Sequence, residues 1–422
     1  MGRREEEEEV VVIRSYDHRT DRVRVECLER SCEIGHNDKI FLFTDTLGDP
    51  MCRIRNSPLY LMTAGLQCCP LILIYIHHTL ELLDRYIMDK RNVTVQVAEV
   101  GNELVGSVQG SIKQATVHEN LAMVGYVLGL RVAPPHRRRG IGSVLVKKME
   151  EWFALHGVAY TYMATQKNNV ASLNLFVGKL GYVPFLSPAI LVNPVNHSRP
   201  LKLPSGIAIR KLKVDEAQSR YQTQMAATAE FFPDDIDRIL RNKLSLGTWI
   251  AYYNTKDDDN VGSWAMLSVW NSGEVFKLRI GKAPLGCFFL TKGSNFLGKY
   301  LSCVGLTALP DLFTPFGFYF VYGVHTEGPN PTCGELVRAL CQHVHNMAAR
   351  DCECKVVVAE VGGNGDGLRR YIPHWKSLSC DDDLWCIKTM KHDVEKAEFG
   401  DFTKKFSTRT RTRSLFVDPR EV

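Results

Sequence analysis

The chain predicts a mixed α/β (α+β) fold: a mixed central sheet flanked by helices, followed by a second, degenerate copy of the same plan. Three observations carry that expectation. Tyr126–Phe153 (YVLGLRVAPPHRRRGIGSVLVKKMEEWF) reads as a strand, a tight basic turn and an amphipathic helix. Tyr160–Thr165 reads as the next strand, followed by a helix from Asn168 that stops at Gly181. Phe318–Val324, Leu336–Arg350 and Lys355–Val361 then repeat strand, helix and strand at nearly the same length.

Each element has a local cause. Val10–Arg14 is a β-branched run and forms the first strand, and Asp21–Cys32 has the apolar spacing of an amphipathic helix. Gly101-Asn102 joins Val97–Val100 to Leu104–Lys113 as a strand pair. Tyr126–Val132 ends at Pro134 and Pro135, which cannot donate to a ladder. The next helix places Val144, Leu145, Met149, Trp152 and Phe153 on one face. Ala189–Val192 is the strand after the second helix, and Asn193–Leu203, with Pro194 and Pro200, is a linker. The expected domains are therefore 1–200 and 201–422. In the second, Gly206–Leu212 is a strand, Asp215–Phe231 is helical, and Ser263–Trp270 and Val275–Ile280 are strands. Its turn at Thr326–Asn330 has neither arginine nor Gly-x-Gly, so the second copy lacks the basic turn of the first.

Composition sets outer bounds. The chain has 422 residues, 45% of them apolar, which is enough for two cores. A net charge of +5 (52 basic, 47 acidic) is too mild to demand nucleic acid. The first residues, MGRREEEEEVVVI, show no secretory pattern. The 13 cysteines form no framework, which fits reduced thiols in nucleus or cytoplasm. Cys341, His345, Cys352 and Cys354 match no standard zinc spacing, so no metal is expected. Lys404–Arg413 (KKFSTRTRTR) is a basic tail, read as solvated rather than as a nucleic-acid contact.

The chemistry concentrates in Arg137-Arg138-Arg139-Gly140-Ile141-Gly142-Ser143. Glycines let a ligand approach the backbone. First-turn N–H groups and the positive end of the helix dipole favour an anion, and arginines add forked donors. The segment reads as a pyrophosphate site. Its glycine order is neither the dinucleotide fingerprint nor a nucleotide-triphosphate loop.

Arg-x-x-Gly-x-Gly after a strand ending Leu-x-Val-x-Pro resembles the acetyl-CoA motif of the Gcn5-related N-acetyltransferases (GNAT). Asn169 to Tyr182 is similar to that family's second motif. Longer tracts resemble the plant HOOKLESS-type probable N-acetyltransferases: Leu42–Arg55, Asn242–Thr248, Ser263–Asn271, Ile372–Lys388 and Leu415–Glu421. The resemblance implies a GNAT fold with a degenerate second GNAT-like domain. It implies acetyl-CoA as co-substrate and a protein amine as acceptor, a histone lysine being one candidate. It also implies a role in hormone-linked growth. No membrane partner is expected. Against that family, Thr63–Gln96 reads as an insertion, and its apolar run Cys68–Ile76 is too short to span a bilayer.

For the site, the resemblance places the thioester along Leu130, Arg131 and Val132, and the pyrophosphate on Arg137, Arg138, Arg139, Gly140, Ile141, Gly142 and Ser143. It places the pantetheine beside Asn169, Ser172, Asn174, Phe176 and Lys179. Acetyl transfer needs the amine deprotonated, from a free-lysine pKa of about 10.4. The thioester oxygen must be stabilised and the thiolate released. The family's usual tyrosine acid corresponds to Phe176, which has no hydroxyl. Tyr126, Tyr162 and Glu99 are the candidates for acid and base by position, with Glu103 beside Glu99. A catalytically silent scaffold that keeps the acyltransferase fold is the alternative.

Overall fold

The computed structural model describes residues 10–32, 42–46, 93–117, 119–197, 200–254, 262–280, 312–329, 331–362, 367–380, 383–390 and 414–422. The first half runs β1 (Val11–Ser15), α1 (His18–Ser31), β2 (Leu42–Thr46), β3 (Val93–Val100), β4 (Glu103–Val117), β5 (Asn120–Val132) and α2 (Ile141–Leu155), then β6 (Tyr160–Gln166), α3 (Val170–Phe176), β7 (Val183–Leu186) and β8 (Ala189–Pro194). The second runs β9 (Ile207–Lys211), α4 (Val214–Gln224), β10 (Ala229–Glu230), α5 (Ile236–Arg241), β11 (Ser245–Tyr253), β12 (Trp264–Asn271) and β13 (Phe276–Ile280), then β14 (Gly317–Glu327), α6 (Thr332–Ala348), β15 (Cys354–Val361), β16 (Asp383–Thr389) and β17 (Ser414–Leu415). The basic stretch Lys404–Arg413 and the apolar run Cys68–Ile76 lie outside the described residues.

Two sheets carry the same order. The first is β1-β3-β4-β5-β6-β16-β7, and the second, read from its far edge, is β9-β11-β12-β14-β15-β8. In each, one neighbouring pair is parallel: β5 with β6 and β14 with β15. A helix, α2 or α6, makes the crossover that a parallel pair requires. The sheets also exchange strands. β8, expected as part of the first sheet, pairs with β15 of the second. In return β16 enters the first sheet between β6 and β7. The boundary near residue 200 thus divides the chain but not the sheets.

Three apolar clusters follow from this layering. One lies under α1 and α2, where Ile141, Leu145, Met149 and Phe153 recur every fourth residue and are buried. Val144, expected on that face, falls off the stripe and is exposed. A second cluster lies under α6. The third lies between the sheets and includes Tyr162, Trp385, Phe416 and Val417. Glycines under α2 let the helix approach the sheet: a Cβ on Gly125 would stand 2.8 Å from the Phe153 ring.

Further boundaries differ from expectation: the helix expected from Asn168 to Gly181 spans Val170–Phe176, and Asn193 and Pro194 belong to β8 rather than to a linker. Val93–Gln96 belong to β3 and pair with β4 throughout, and Gln96 also pairs with β1, so they are not part of an insertion. The helix expected over Asp215–Phe231 ends at Gln224. Phe231 has a φ of 61°, a left-handed backbone no α-helix accommodates, and Ala229–Glu230 pair with β17 instead.

Candidate acyl-CoA site

β5 and β6 are paired only at Val124↔Tyr160, Gly125↔Thr161 and Tyr126↔Tyr162. Beyond this rung β5 stays with β4 as far as Val132, and β6 stays with β16 as far as Gln166. The two strands therefore splay into a V whose facing edges have no mutual rungs among the described residues. A bulge bends β5 at this point: the β4 register shifts between Ser107 and Gln109, and Gly129 takes φ 61°. The positive φ favours glycine, and a Cβ there would stand 3.1 Å from the Gln109 amide, close enough to push that side chain aside.

The basic turn follows β5 at the open end of the V. The Ala133 N–H donates to Val105 O, and a single 3-10 turn, Pro134–His136, redirects the chain. Gly140 caps α2 at φ 86° with open space where a Cβ would be. Arg137 Nε donates to Val132 O at 3.1 Å, which ties this guanidinium to the splayed strand. Arg139 Nη1 lies 3.1 Å from His136 Nδ1. Arg137, Arg138 and Arg139 are exposed and immediately precede the first turn of α2. Ile141 contributes backbone only, because its side chain is in the core.

The second motif arrives on the other side of the same mouth. A Cβ on Gly142 would meet Leu175 Cδ2 at 3.4 Å, Val132 at 3.7 Å and Leu130 at 3.8 Å. α2, α3 and the end of β5 thus converge. Asn169 caps α3, its side chain accepting from the Ser172 N–H at 3.2 Å. Asn174 and Lys179 are exposed beside it. Phe176 is different. It is buried edge-on against Tyr182, with ring centres 5.1 Å apart, so it packs the core beneath the groove rather than lining it.

The acid and base candidates are also redistributed. Glu99 is held by Arg14 at 2.8 Å and Arg24 at 2.6 Å, on a strand two places from the V. The Arg14 hydrogen bond keeps its carboxyl below the usual range, which suits an ion pair and not a base. Glu103 is exposed and faces His136 at 3.6 Å. Tyr162 is fully buried and donates its phenolic O–H to Glu421 Oε2. Burial and the Glu421 charge push that phenol well above its ordinary value. Tyr126 stacks on it at 4.6 Å.

Glu421 belongs to a cluster that sequence reading missed. The segment 414–422 threads between the sheets, where Phe416 packs against Phe232 and Tyr322. Lys113 of β4, itself buried, donates to Glu421 Oε2 at 2.5 Å and lies 3.9 Å from Asp418. Arg420 forks onto Asp235 at 2.7 and 2.8 Å and also pairs with Asp418. Burial pushes the Glu421 carboxyl up, only partly offset by Lys113. Burial would do the same to Asp418, but Arg420 and Lys113 outweigh it and hold it low. The sequence signals were the resemblance of the tract Leu415–Glu421 to the plant family and, within it, three charged residues, Asp418, Arg420 and Glu421, beside an apolar run. His345 of α6 and Cys354 of β15 have local uses: His345 Nε2 accepts from the Asn196 N–H, and the Cys354 thiol donates to Val356 O. Among the described residues no cluster of His, Cys, Asp and Glu could hold a metal, and no helix is long and apolar enough to cross a membrane.

A parallel pair that splays beside an Arg-x-x-Gly-x-Gly helix start is the architecture of an acyl-CoA-dependent acyltransferase. A family model described as "Acetyltransferase (GNAT) family" matches residues 63–182, a match that runs through the stretch expected to be an insertion. The chain is 41% identical to "Probable N-acetyltransferase HLS1" of Arabidopsis thaliana, over 98% of this chain and 100% of that one. It is 31% identical to "Acetyl transferase GW6a" of Oryza sativa subsp. japonica, over 98% of this chain and 97% of that one. Among solved structures it is similar to Saccharomyces cerevisiae N-myristoyltransferase with bound myristoyl-CoA, at a TM-score of 0.49 and 11% identity, covering 89% of this chain and 78% of the other. The protein belongs to the GNAT family, among the HLS1-like N-acetyltransferases of plants.

Proposed function

We propose that the protein transfers the acetyl group of acetyl-CoA to an amine of a protein substrate, with a lysine side chain as acceptor and histone tails as the first candidates. The observation that carries this reading is the V between β5 and β6, open at one end onto the α2 N-terminus and its three exposed arginines. Backbone N–H groups along Leu130–Val132 would stabilise the thioester oxygen. Arg137 and the N–H groups from Gly140 to Gly142, with the Ser143 hydroxyl, would hold the pyrophosphate. The co-substrate supplies the activated acyl group, and the protein supplies position and electrostatics. We further propose action in the nucleus or cytoplasm and a role in hormone-linked growth, in keeping with the resemblance.

The test is transfer of labelled acetyl from acetyl-CoA to histone and lysine-peptide pools. Turnover that Arg137→Glu abolishes, with the melting temperature unchanged, supports the enzyme. CoA binding without turnover on any acceptor would favour the scaffold, the reading that Phe176 motivates.

A further inference from the structure

We propose that Glu421 is the general base that takes the proton from the acceptor amine, positioned by Lys113 and Tyr162. The inference rests on the N-acetyltransferase reading above and assigns a residue to it.

Three observations converge. Tyr126↔Tyr162 is the last rung before the V opens, so it marks the apex of the acyl site. Glu421 hydrogen-bonds the phenol at that rung and the ammonium of Lys113 on β4, and both bonds land on one oxygen, Oε2. The other oxygen, Oε1, is buried and has no hydrogen-bond partner among the described residues. Ser111 stands opposite Tyr126 in the β4–β5 ladder and shares a face with Lys113, two residues on. Its hydroxyl is likewise buried without a partner. Orphaned buried oxygens are rare because each costs the lost hydrogen bond to water. A primary ammonium, with three N–H donors, would satisfy both. The occupant this apex fits is therefore the end of a lysine side chain or an N-terminal amine, presented from the face that packs against the second sheet.

The step balances as follows. An N–H bond of the acceptor ammonium breaks and its proton passes to Oε1. The freed lone pair attacks the acetyl carbonyl carbon. A C–N bond forms as the C–S bond breaks, with its electron pair on sulphur. The second amine proton ends on that sulphur, and Glu421 later returns its own to solvent. Burial raises the Glu421 carboxyl, which brings it toward the range a base at neutral pH needs. The charged and titratable groups around it are Lys113 from β4, Tyr162 from β6 with Tyr126 stacked behind it, Glu360 from β15, and Asp418 and Arg420 of its own segment, the last anchored to Asp235.

The experiment uses the full chain, acetyl-CoA and a pool of N-terminally blocked lysine peptides, with kcat/KM followed from pH 6 to 9. Glu421→Gln should lower kcat/KM at pH 7 by about 10²-fold or more and leave CoA affinity unchanged. The wild-type profile should rise and level off. The variant should climb about tenfold per pH unit toward the acceptor's own pKa. The double variant Lys113→Met with Glu421→Gln leaves no unpaired buried charge at that pair and guards against a folding defect; it should melt like wild type and keep the altered profile. Formate should restore part of the activity of Glu421→Ala. A Glu421→Gln rate and profile equal to wild type would overturn the assignment while leaving the acetyltransferase reading intact. Absence of transfer by the wild-type chain would overturn the reading itself, and the assignment with it.

Discussion

Single residues divide sharply into those whose role sequence reveals and those whose role only packing reveals. Gly140 was legible as the start of a helix, and it takes the left-handed backbone that favours glycine there. Arg137 was legible as a charge, but its bond to Val132 O was not, since that bond depends on where the bulged strand ends. Glu99 was read as a site candidate from position and Phe176 from the resemblance. Phe176 is core, packed against Tyr182, and Glu99 is neutralised by two arginines that are far from it in sequence. Asp383 yields a prediction at this scale. It is buried at the start of β16 beside Glu360, which accepts from Trp385 Nε1 at 3.0 Å. Burial pushes the Asp383 carboxyl up to about 7. A carboxyl whose folded pKa lies above its unfolded value, near 3.9, contributes stability below that lower value. The contribution is lost as pH rises toward 7. Asp383→Asn should therefore raise the melting temperature at pH 8 relative to wild type by a few degrees and make little difference at pH 4. Equal curves at both pH values would show that Asp383 is not strained by burial.

Elements with strong local signals were found and those held by distant partners were not. The strand–turn–helix of β5 and α2 was legible because periodicity, proline and glycine act within a few residues. β16 was missed. Its sequence DLWCIKT follows an acidic run, and what makes it a strand is pairing with β6, more than two hundred residues earlier. Ala189–Val192 was found as a strand but assigned to the wrong sheet, because pairing partners leave no mark on one strand's composition. β3 begins at Val93, four residues earlier than its sequence suggests. Deleting 63–96 would remove Val95 and Gln96, both buried, along with half of the β3 ladder. We expect that deletion to lower the melting temperature by 5 °C or more, from a loss of about 2–4 kcal/mol. Thermal unfolding followed by circular dichroism checks it. An unchanged melting temperature would mean that these residues contribute nothing to the core.

At the scale of the whole molecule, the repeat was legible and the exchange of strands was not. Each sheet holds one strand contributed by the other half of the chain, and the 414–422 segment is buried between them. The two halves should therefore unfold as one cooperative unit. A fragment ending at residue 200 lacks β16, so β6 and β7 lose their common partner and the wall of the V beside β6 is unsupported. We expect that fragment to be insoluble or molten and to bind no CoA, as judged by solubility, near-ultraviolet circular dichroism and calorimetry. A folded, CoA-binding fragment would show that the exchange is dispensable.

The central claim is that CoA lies in the V between β5 and β6, with its pyrophosphate on the α2 N-terminus. Calorimetric titration of CoA into the wild-type chain and into Gly142→Glu tests it most directly. A carboxylate at position 142 would stand beside Leu130, Val132 and Leu175 at the mouth, where the pyrophosphate must pass. The expected result is one site per chain in the wild type, and affinity lower by about 3 kcal/mol, roughly two orders of magnitude, in the variant. Equal affinity in the two proteins, or no heat from the wild type at millimolar CoA, would contradict the account.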